Sequence, residues 1–131
     1  MATTIVPRLS VVMPCYNETA TIGEIVKRVL ASEHCAELII VDDGSTDGTR
    51  DLLATFDDSR VCVILQPQNQ GKGAAIRRGF KEASAEFVIV QDADLEYDPV
   101  DYDLVLEPLL NGSADVVYGS RFQSGRPRRV L

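Results

Sequence analysis

The stretch Val88-Ile89-Val90-Gln91-Asp92-Ala93-Asp94-Leu95-Glu96 passes from apolar to acidic within a few residues. Its apolar part has strand character and is bounded by polar residues. If the chain stays extended past Val90, Asp92, Asp94 and Glu96 project to one side. Like charges that close repel one another, and a divalent cation would remove that cost. Oxygen-only ligands favour a hard ion such as Mg²⁺ or Mn²⁺, which keeps open positions for substrate phosphates. A solvated acidic turn after a strand has the same local sequence, so the rest of the chain has to decide between the two.

Outward from this stretch, strand and helix patterns alternate. Toward the N-terminus, Phe87 to Val90 is preceded by a helix from about Gly73 to Ala83, with Ala74, Ala75, Ile76, Gly79 and Phe80 among its contacts. Before that helix comes a polar loop from Gln66 to Gly73, and before the loop a third strand, Val61 to Leu65. Ser45 or Thr46 starts a helix that packs through Leu52, Leu53 and Phe56. Glu37 to Val41 is the second strand, whose consecutive apolar residues suit a sheet covered on both faces. Ile22, Ile25, Val26, Val29 and Leu30 form one apolar helix face, with Thr19 or Thr21 as its cap and Glu24 completing a capping box with Thr21. Leu9 to Met13 is the first strand, and Pro14 ends it because proline cannot donate to a ladder. Residues 1–7 are a loose lead-in.

Toward the C-terminus, Pro99 reads as a helix start. Leu104, Val105, Leu109 and Leu110 follow at helical spacing, interrupted by Pro108. Asp115 to Tyr118 reads as a fifth strand, and Gly119-Ser120-Arg121-Phe122 as its terminal loop. The alternation predicts an α/β fold: a Rossmann-like, mainly parallel sheet flanked by helices. Ligands in such folds sit beyond the carboxyl ends of the strands, and every unusual polar group here falls at such an end.

At 131 residues and 45% apolar content, the chain suits a single domain with a real core. Its net charge of −7 argues against nonspecific nucleic-acid binding. Four arginines and no acid occur from Arg121 onward, at Arg121, Arg126, Arg128 and Arg129. Cys15, Cys35 and Cys62 are odd in number and widely spaced, which reads as reduced thiols of a cytosolic protein. No signal peptide or membrane span is recognisable in this stretch.

Three further groups bear on function. Asp42-Asp43-Gly44-Ser45 is either a tight turn with a helix cap, or a site where Asp43 accepts hydrogen bonds from a base or sugar while Asp42 is structural. Gly71-Lys72-Gly73 is neither a phosphate-binding P-loop nor part of a Gly-x-Gly-x-x-Gly signature. It is either a loop with a solvated lysine or the edge of a nucleotide pocket. Arg121 follows a strand and would stand at the same end of the sheet as the carboxylates, in reach of a diphosphate. His34 lies apart from these groups and receives no catalytic role.

Five segments in order carry a family resemblance: Val12-Met13-Pro14-Cys15-Tyr16-Asn17-Glu18, Val41-Asp42-Asp43-Gly44-Ser45-Thr46-Asp47-Gly48-Thr49, Asn69-Gln70-Gly71-Lys72-Gly73, Asp92-Ala93-Asp94-Leu95-Glu96 and Gly119-Ser120-Arg121-Phe122. From Leu9 to about Phe122 the chain resembles the inverting family 2 glycosyltransferases of GT-A fold, nearest their polyprenyl-phosphate and dolichol-phosphate sugar transferases. The resemblance implies transfer of a sugar from a nucleoside-diphosphate sugar to a polyprenyl or dolichyl phosphate, with Mg²⁺ or Mn²⁺ as cofactor. It implies a nucleotide-sugar site of Pro14, Tyr16, Glu18, Asp43, Lys72, Gly73 and Asp92. It also implies metal ligation by Asp92, Asp94 and Glu96, with Asp94 the most direct ligand, and catalytic roles for Asp94 and Arg121. Glu96 stands where the lipid-phosphate branch often has glutamine.

Residues 1–131 then form the donor-binding portion of one catalytic domain that is incomplete at its C-terminus. The acceptor region, and any segment touching a membrane, would lie beyond 131. The expected location is cytoplasmic, peripheral to a membrane face. A phosphate acceptor, with its second pKa near 6, attacks as an anion and needs no strong protein base. The alternatives are transfer to a saccharide hydroxyl and a nucleotide-sugar-binding fragment without transferase activity. A nucleotidyltransferase would need a glycine-rich basic loop where Pro14-Cys15-Tyr16-Asn17-Glu18 stands. A receiver-like module would need an aspartate where Gln66 and Pro67 stand.

Overall fold

The computed structural model describes residues 6–95, 98–102, 106, 129 and 130. Its strands are β1 (Leu9–Cys15), β2 (Cys35–Asp42), β3 (Val61–Leu65), β4 (Phe87–Val90) and β5 (Arg129–Val130). Its helices are α1 (Ile22–Ala31), α2 (Thr49–Leu53) and α3 (Lys72–Glu82), followed by a 3₁₀ turn at Pro99–Asp101. The strands form one sheet in the order β3-β2-β1-β4-β5, and each adjacent pair is parallel.

Chain order explains which helix covers which face. From β1 through β3 the chain winds outward in one direction, then returns past β1 to form β4. Right-handed crossovers place helices on opposite faces when that direction reverses. Accordingly Ile22, Ile25, Val26 and Val29 of α1 and Leu53 of α2 pack with Leu9, Val11, Met13, Leu38 and Ile40. Ala75 and Phe80 of α3 pack with Val12, Ile39, Val41 and Val88 on the other face. The period-two split along β1 and β2 is that of a sheet buried on both sides. Gly79 lets α3 settle onto the sheet, since a Cβ there would stand 2.3 Å from Val12 Cγ1.

Several sequence expectations need correction. Pro14 does not end β1, which continues to Cys15 with Pro14 opposite Val41. Alternate residues of a parallel strand bond to opposite neighbours. The Val12 carbonyl accepts from Gln91 on the β4 side and the Cys15 carbonyl from Asp43 on the β2 side. Pro14 therefore turns its missing N–H toward β4, whose ladder with β1 ends at the Val12–Val90 pair, and costs no sheet bond. The capping box does not form, because Thr21 makes no side-chain cap and Glu24 pairs with Arg28 at 3.0 Å. The second helix starts at Thr49 rather than at Ser45 or Thr46, and Leu52 is exposed while Leu53 is buried. The chain does not stay extended past Val90, where β4 stops and residues 93–95 bend. Pro99 does open a helical turn, with the Asp98 carboxylate accepting from the Val100 amide at 3.0 Å. The expected strand Asp115 to Tyr118, the helical positions Leu104, Val105, Leu109 and Leu110, and the loop 119–122 lie outside the described residues.

One polar junction ties the sheet to the end of α3. Glu37 Oε2 accepts from Ser10 Oγ at 2.6 Å and from the Ser84 amide at 2.7 Å, and Ser10 Oγ in turn accepts from the Ala85 amide at 2.9 Å. Burial works against the Glu37 carboxylate, but the Ser10 and Ser84 hydrogen bonds outweigh it and hold its pKa below the ordinary glutamate range. A carboxylate depressed by folding contributes stability that is complete above its unfolded pKa and is lost as pH falls through its folded value. Glu37→Gln should cost about 1 kcal/mol at pH 7, at the low end for bonds to a charged group because the carboxylate is partly exposed. In denaturant melts, the gap between wild type and variant should narrow as pH drops below the ordinary glutamate range.

Candidate donor site

The carboxyl ends of β1, β2 and β4 and the start of α3 enclose a cavity of about 410 Å³. It lies where β1 and β4 adjoin although the chain makes them first and fourth, which is the switch point of this sheet. Pro14, Tyr16, Glu18, Asp43, Lys72, Asp92 and Asp94 all line it. Gly73 does not, and Gly71 supplies the glycine of that loop. Glu96 and Arg121 lie outside the described residues.

The two aspartates after β2 have separate tasks. Asp42 is fully buried and serves the turn: its carboxylate accepts from the Ser45 amide at 3.0 Å and from Arg50 Nε at 2.7 Å. Arg50 also donates to the Gln66 carbonyl, fastening the end of β3 to the same turn. Asp43 is buried too and reaches the loop before α3, where Oδ1 accepts from the Gln70 amide at 2.7 Å and Oδ2 from the Gly71 amide at 2.9 Å. Asp43 thus fixes the wall of the cavity that contains Lys72. The loop after β1 is joined to the loop after β2 in the same manner. Asn17, at φ 52°, accepts from the Thr46 amide at 2.8 Å, and the Glu18 amide donates to Thr49 Oγ1 at 3.0 Å.

The acidic turn is held from two sides. Lys72 Nζ meets Asp92 Oδ1 at 2.5 Å. The Thr21 hydroxyl lies 2.7 Å from the Ala93 carbonyl and 3.0 Å from Glu18 Oε2 and donates to these acceptors, while its oxygen accepts from no amide at the start of α1. The capping box therefore gives way to a side chain oriented toward the acidic turn. Just before the turn, the buried Gln91 accepts from the Tyr102 hydroxyl at 2.8 Å. Thr21 and Asn17 escaped the sequence reading because a cap signal and a turn signal explain them locally.

Among the described residues, four carboxylates (Glu18, Asp43, Asp92, Asp94) and one ammonium (Lys72) line the cavity. Cys15 lines the same cavity, and burial, then Asp42, Glu18 and Asp47, push its thiol up to about 12. It therefore stays protonated and adds no thiolate to an oxygen-only set. Among the described residues, no three His, Cys, Asp or Glu side chains converge as a metal cluster. Two carboxylates on one cavity still fit Mg²⁺ or Mn²⁺, because such ions take one or two protein carboxylates and fill the remaining positions with water and substrate phosphates.

The family model for glycosyl transferase family 2 matches residues 10–130. The chain belongs to glycosyl transferase family 2. Within that family it is 35% identical, over 119 residues, to the undecaprenyl-phosphate 4-deoxy-4-formamido-L-arabinose transferase of Aeromonas hydrophila, covering 86% of this chain and 36% of that one. It is also 35% identical, over 121 residues, to the dolichol-phosphate mannosyltransferase of Pyrococcus furiosus, covering 90% and 34%. The chain spans about a third of the length of these relatives. Among solved structures, S. aureus TarS 1-349 in complex with UDP superposes with a TM-score of 0.73 at 24% identity, covering 84% of this chain and 34% of that one. A mycobacterial protein superposes with a TM-score of 0.68 at 28% identity, covering 85% and 39%. The fold of this family 2 chain is GT-A, as its motifs implied. No helix among the described residues is long and apolar enough to cross a membrane.

Proposed function

We propose that residues 1–131 form the donor-binding portion of a metal-dependent, inverting glycosyltransferase that passes a sugar from a nucleoside-diphosphate sugar to a polyprenyl or dolichyl phosphate. One observation carries this reading: among the described residues, four carboxylates and one lysine face a single cavity at the switch point of the sheet. A nucleoside diphosphate is an anion, and such a surface repels it unless a divalent cation enters with it. When bound, Mg²⁺ or Mn²⁺ would supply Lewis-acid stabilisation of the departing diphosphate. Asp92 and Asp94 would hold the ion, and Glu96 joins them in the proposal. Asp43 keeps the Gln70–Gly71 loop in place and offers its remaining lone pairs to the nucleoside. Pro14, Tyr16 and Glu18 line the same cavity. Gly73 stands behind Gly71 at the start of α3, and Arg121 is proposed at the diphosphate.

The lipid-phosphate acceptor draws support from the names of the relatives. An acceptor phosphate attacks as an anion, which suits a cavity with no histidine among its lining residues. A location on the cytoplasmic face of a membrane, through chain beyond 131, belongs to the same proposal.

Calorimetry with UDP and GDP tests the donor site. Binding should strengthen at least tenfold when Mn²⁺ is added. Asp43→Asn should weaken metal-free binding by about 1–3 kcal/mol, because its amide NH₂ would confront a loop N–H in place of an acceptor. Equal metal-free affinities for wild type and variant would remove Asp43 from the site.

A further inference from the structure

Lys72 is the first residue of α3, and no acid occupies that helix's first turn. A helix N-terminus carries partial positive charge, so a lysine there is locally unfavourable. Its ammonium instead crosses the cavity to Asp92 Oδ1 at 2.5 Å, joining the start of α3 to the turn after β4. It is the one cation among the described lining residues, set against four carboxylates. The Lys72 side chain is 60% exposed and that of Asp92 27%. A half-solvated ion pair on a flexible four-carbon stem opens readily.

We propose that Lys72 is an internal counter-ion of the acidic turn, one that a divalent cation displaces from Asp92 and so releases toward the phosphates of the incoming nucleotide. The inference rests on the metal-dependent donor reading above. Asp92 Oδ1 cannot hold an ammonium and a divalent cation at full strength together, because the two cations repel. Once displaced, the ammonium stays beside the N-terminus of α3, where helix partial charge and lysine charge both favour an anion. The device accounts for a lysine placed against its helix dipole. It also gives the site a binding order, with cation before nucleotide.

The test is manganese titration of the nucleotide-free protein, reading free Mn²⁺ by electron paramagnetic resonance. Lys72→Met should bind Mn²⁺ about three- to fivefold more tightly than wild type, the scale of a partly exposed ion pair. Arg77→Met is the control for net charge, since Arg77 reaches back along the same helix to Gly73. Its effect should be clearly smaller. A second readout follows the lysine itself. The chain has three lysines, Lys27, Lys72 and Lys81, and reductive ¹³C-methylation keeps their charge. The signal missing from Lys72→Met should shift as Mg²⁺ is added, with the midpoint of metal binding, while the other two stay still. An unchanged or weaker Mn²⁺ affinity in Lys72→Met, an equal gain in Arg77→Met, or a Lys72 signal indifferent to Mg²⁺ overturns the proposal. Nucleotide binding with no Mn²⁺ binding in wild type or variant also overturns it while the donor cavity stands. Loss of nucleotide binding as well defeats both readings.

Discussion

Asp94→Asn should abolish most of the metal-dependent gain in donor affinity while leaving metal-free affinity unchanged or slightly higher. The variant keeps the shape of the side chain and removes one charge. Asp94 lines the same cavity as Asp92, whose Oδ1 is bonded to Lys72. Removing the Asp94 charge therefore takes away the carboxylate proposed as the most direct ligand. Repulsion within the acidic wall falls at the same time, which is why the metal-free arm should hold or rise. Where sugar transfer is assayed, the proposed function puts the loss mainly on the chemical step, on the order of several kcal/mol, because an ion that stabilises a leaving diphosphate acts on the transition state. Titrating Mn²⁺ against donor-bound wild type and Asp94→Asn decides the matter on these residues. Superimposable curves would refute Asp94 as the ligand.

Gly44→Ala should be the most damaging small substitution at the site. Gly44 has φ +80°, where an L side chain is strained, and a Cβ there would lie 2.6 Å from the Asn69 backbone nitrogen and 2.8 Å from the Gln68 carbonyl carbon. Backbone atoms cannot rotate away as a side-chain tip can, so the loop before α3 would have to move. Strain of about 1 kcal/mol and overpacking of about 1–3 kcal/mol sum to roughly 3 kcal/mol. On a domain of this size that corresponds to a melting temperature lower by about 10 °C. The displaced loop carries the Gln70 and Gly71 amides that bond Asp43, so metal-free nucleotide affinity should fall along with stability. Gly48→Ala separates the two effects. It shares a positive φ, but its Cβ would meet nothing closer than 4.0 Å, so it should show the strain cost with the loop undisturbed. Equal melting temperatures for the two variants would show that the Gly44 contact with the loop does not matter.

Much of the architecture was legible because it is written in local periodicity. Val61 to Leu65 and Phe87 to Val90 are strands at the expected bounds, and Ile22, Ile25, Val26 and Val29 form the buried face of α1. Continuous apolar runs alternating with helical spacing permit little besides a parallel sheet between helices. That topology places Pro14, Asp43, Lys72 and Asp94 together at one end. Where local rules misled, a distant partner had taken the side chain. Thr21 reads as a helix cap, yet its hydroxyl faces Ala93, far along the chain.

By itself, then, the sequence determined the class of fold, the order of its elements from β1 to β4 and the end of the sheet where Asp43, Asp92 and Asp94 gather. Each of these follows from periodicities of two and 3.6 and from the polar residues that interrupt them. Only the tertiary structure decided what those polar residues do to one another. Asp43 clamps the loop at Gln70 and Gly71, Asp42 closes its own turn with Arg50, and Lys72 neutralises Asp92 across the cavity. The early end of the β1–β4 ladder at Val12 and Val90, which lets Pro14 sit inside a strand, was equally hidden. The physical reason is common to all of them. Hydrogen bonds and ion pairs between distant segments depend on where the crossovers bring two loops together, and no pattern within either loop specifies its partner.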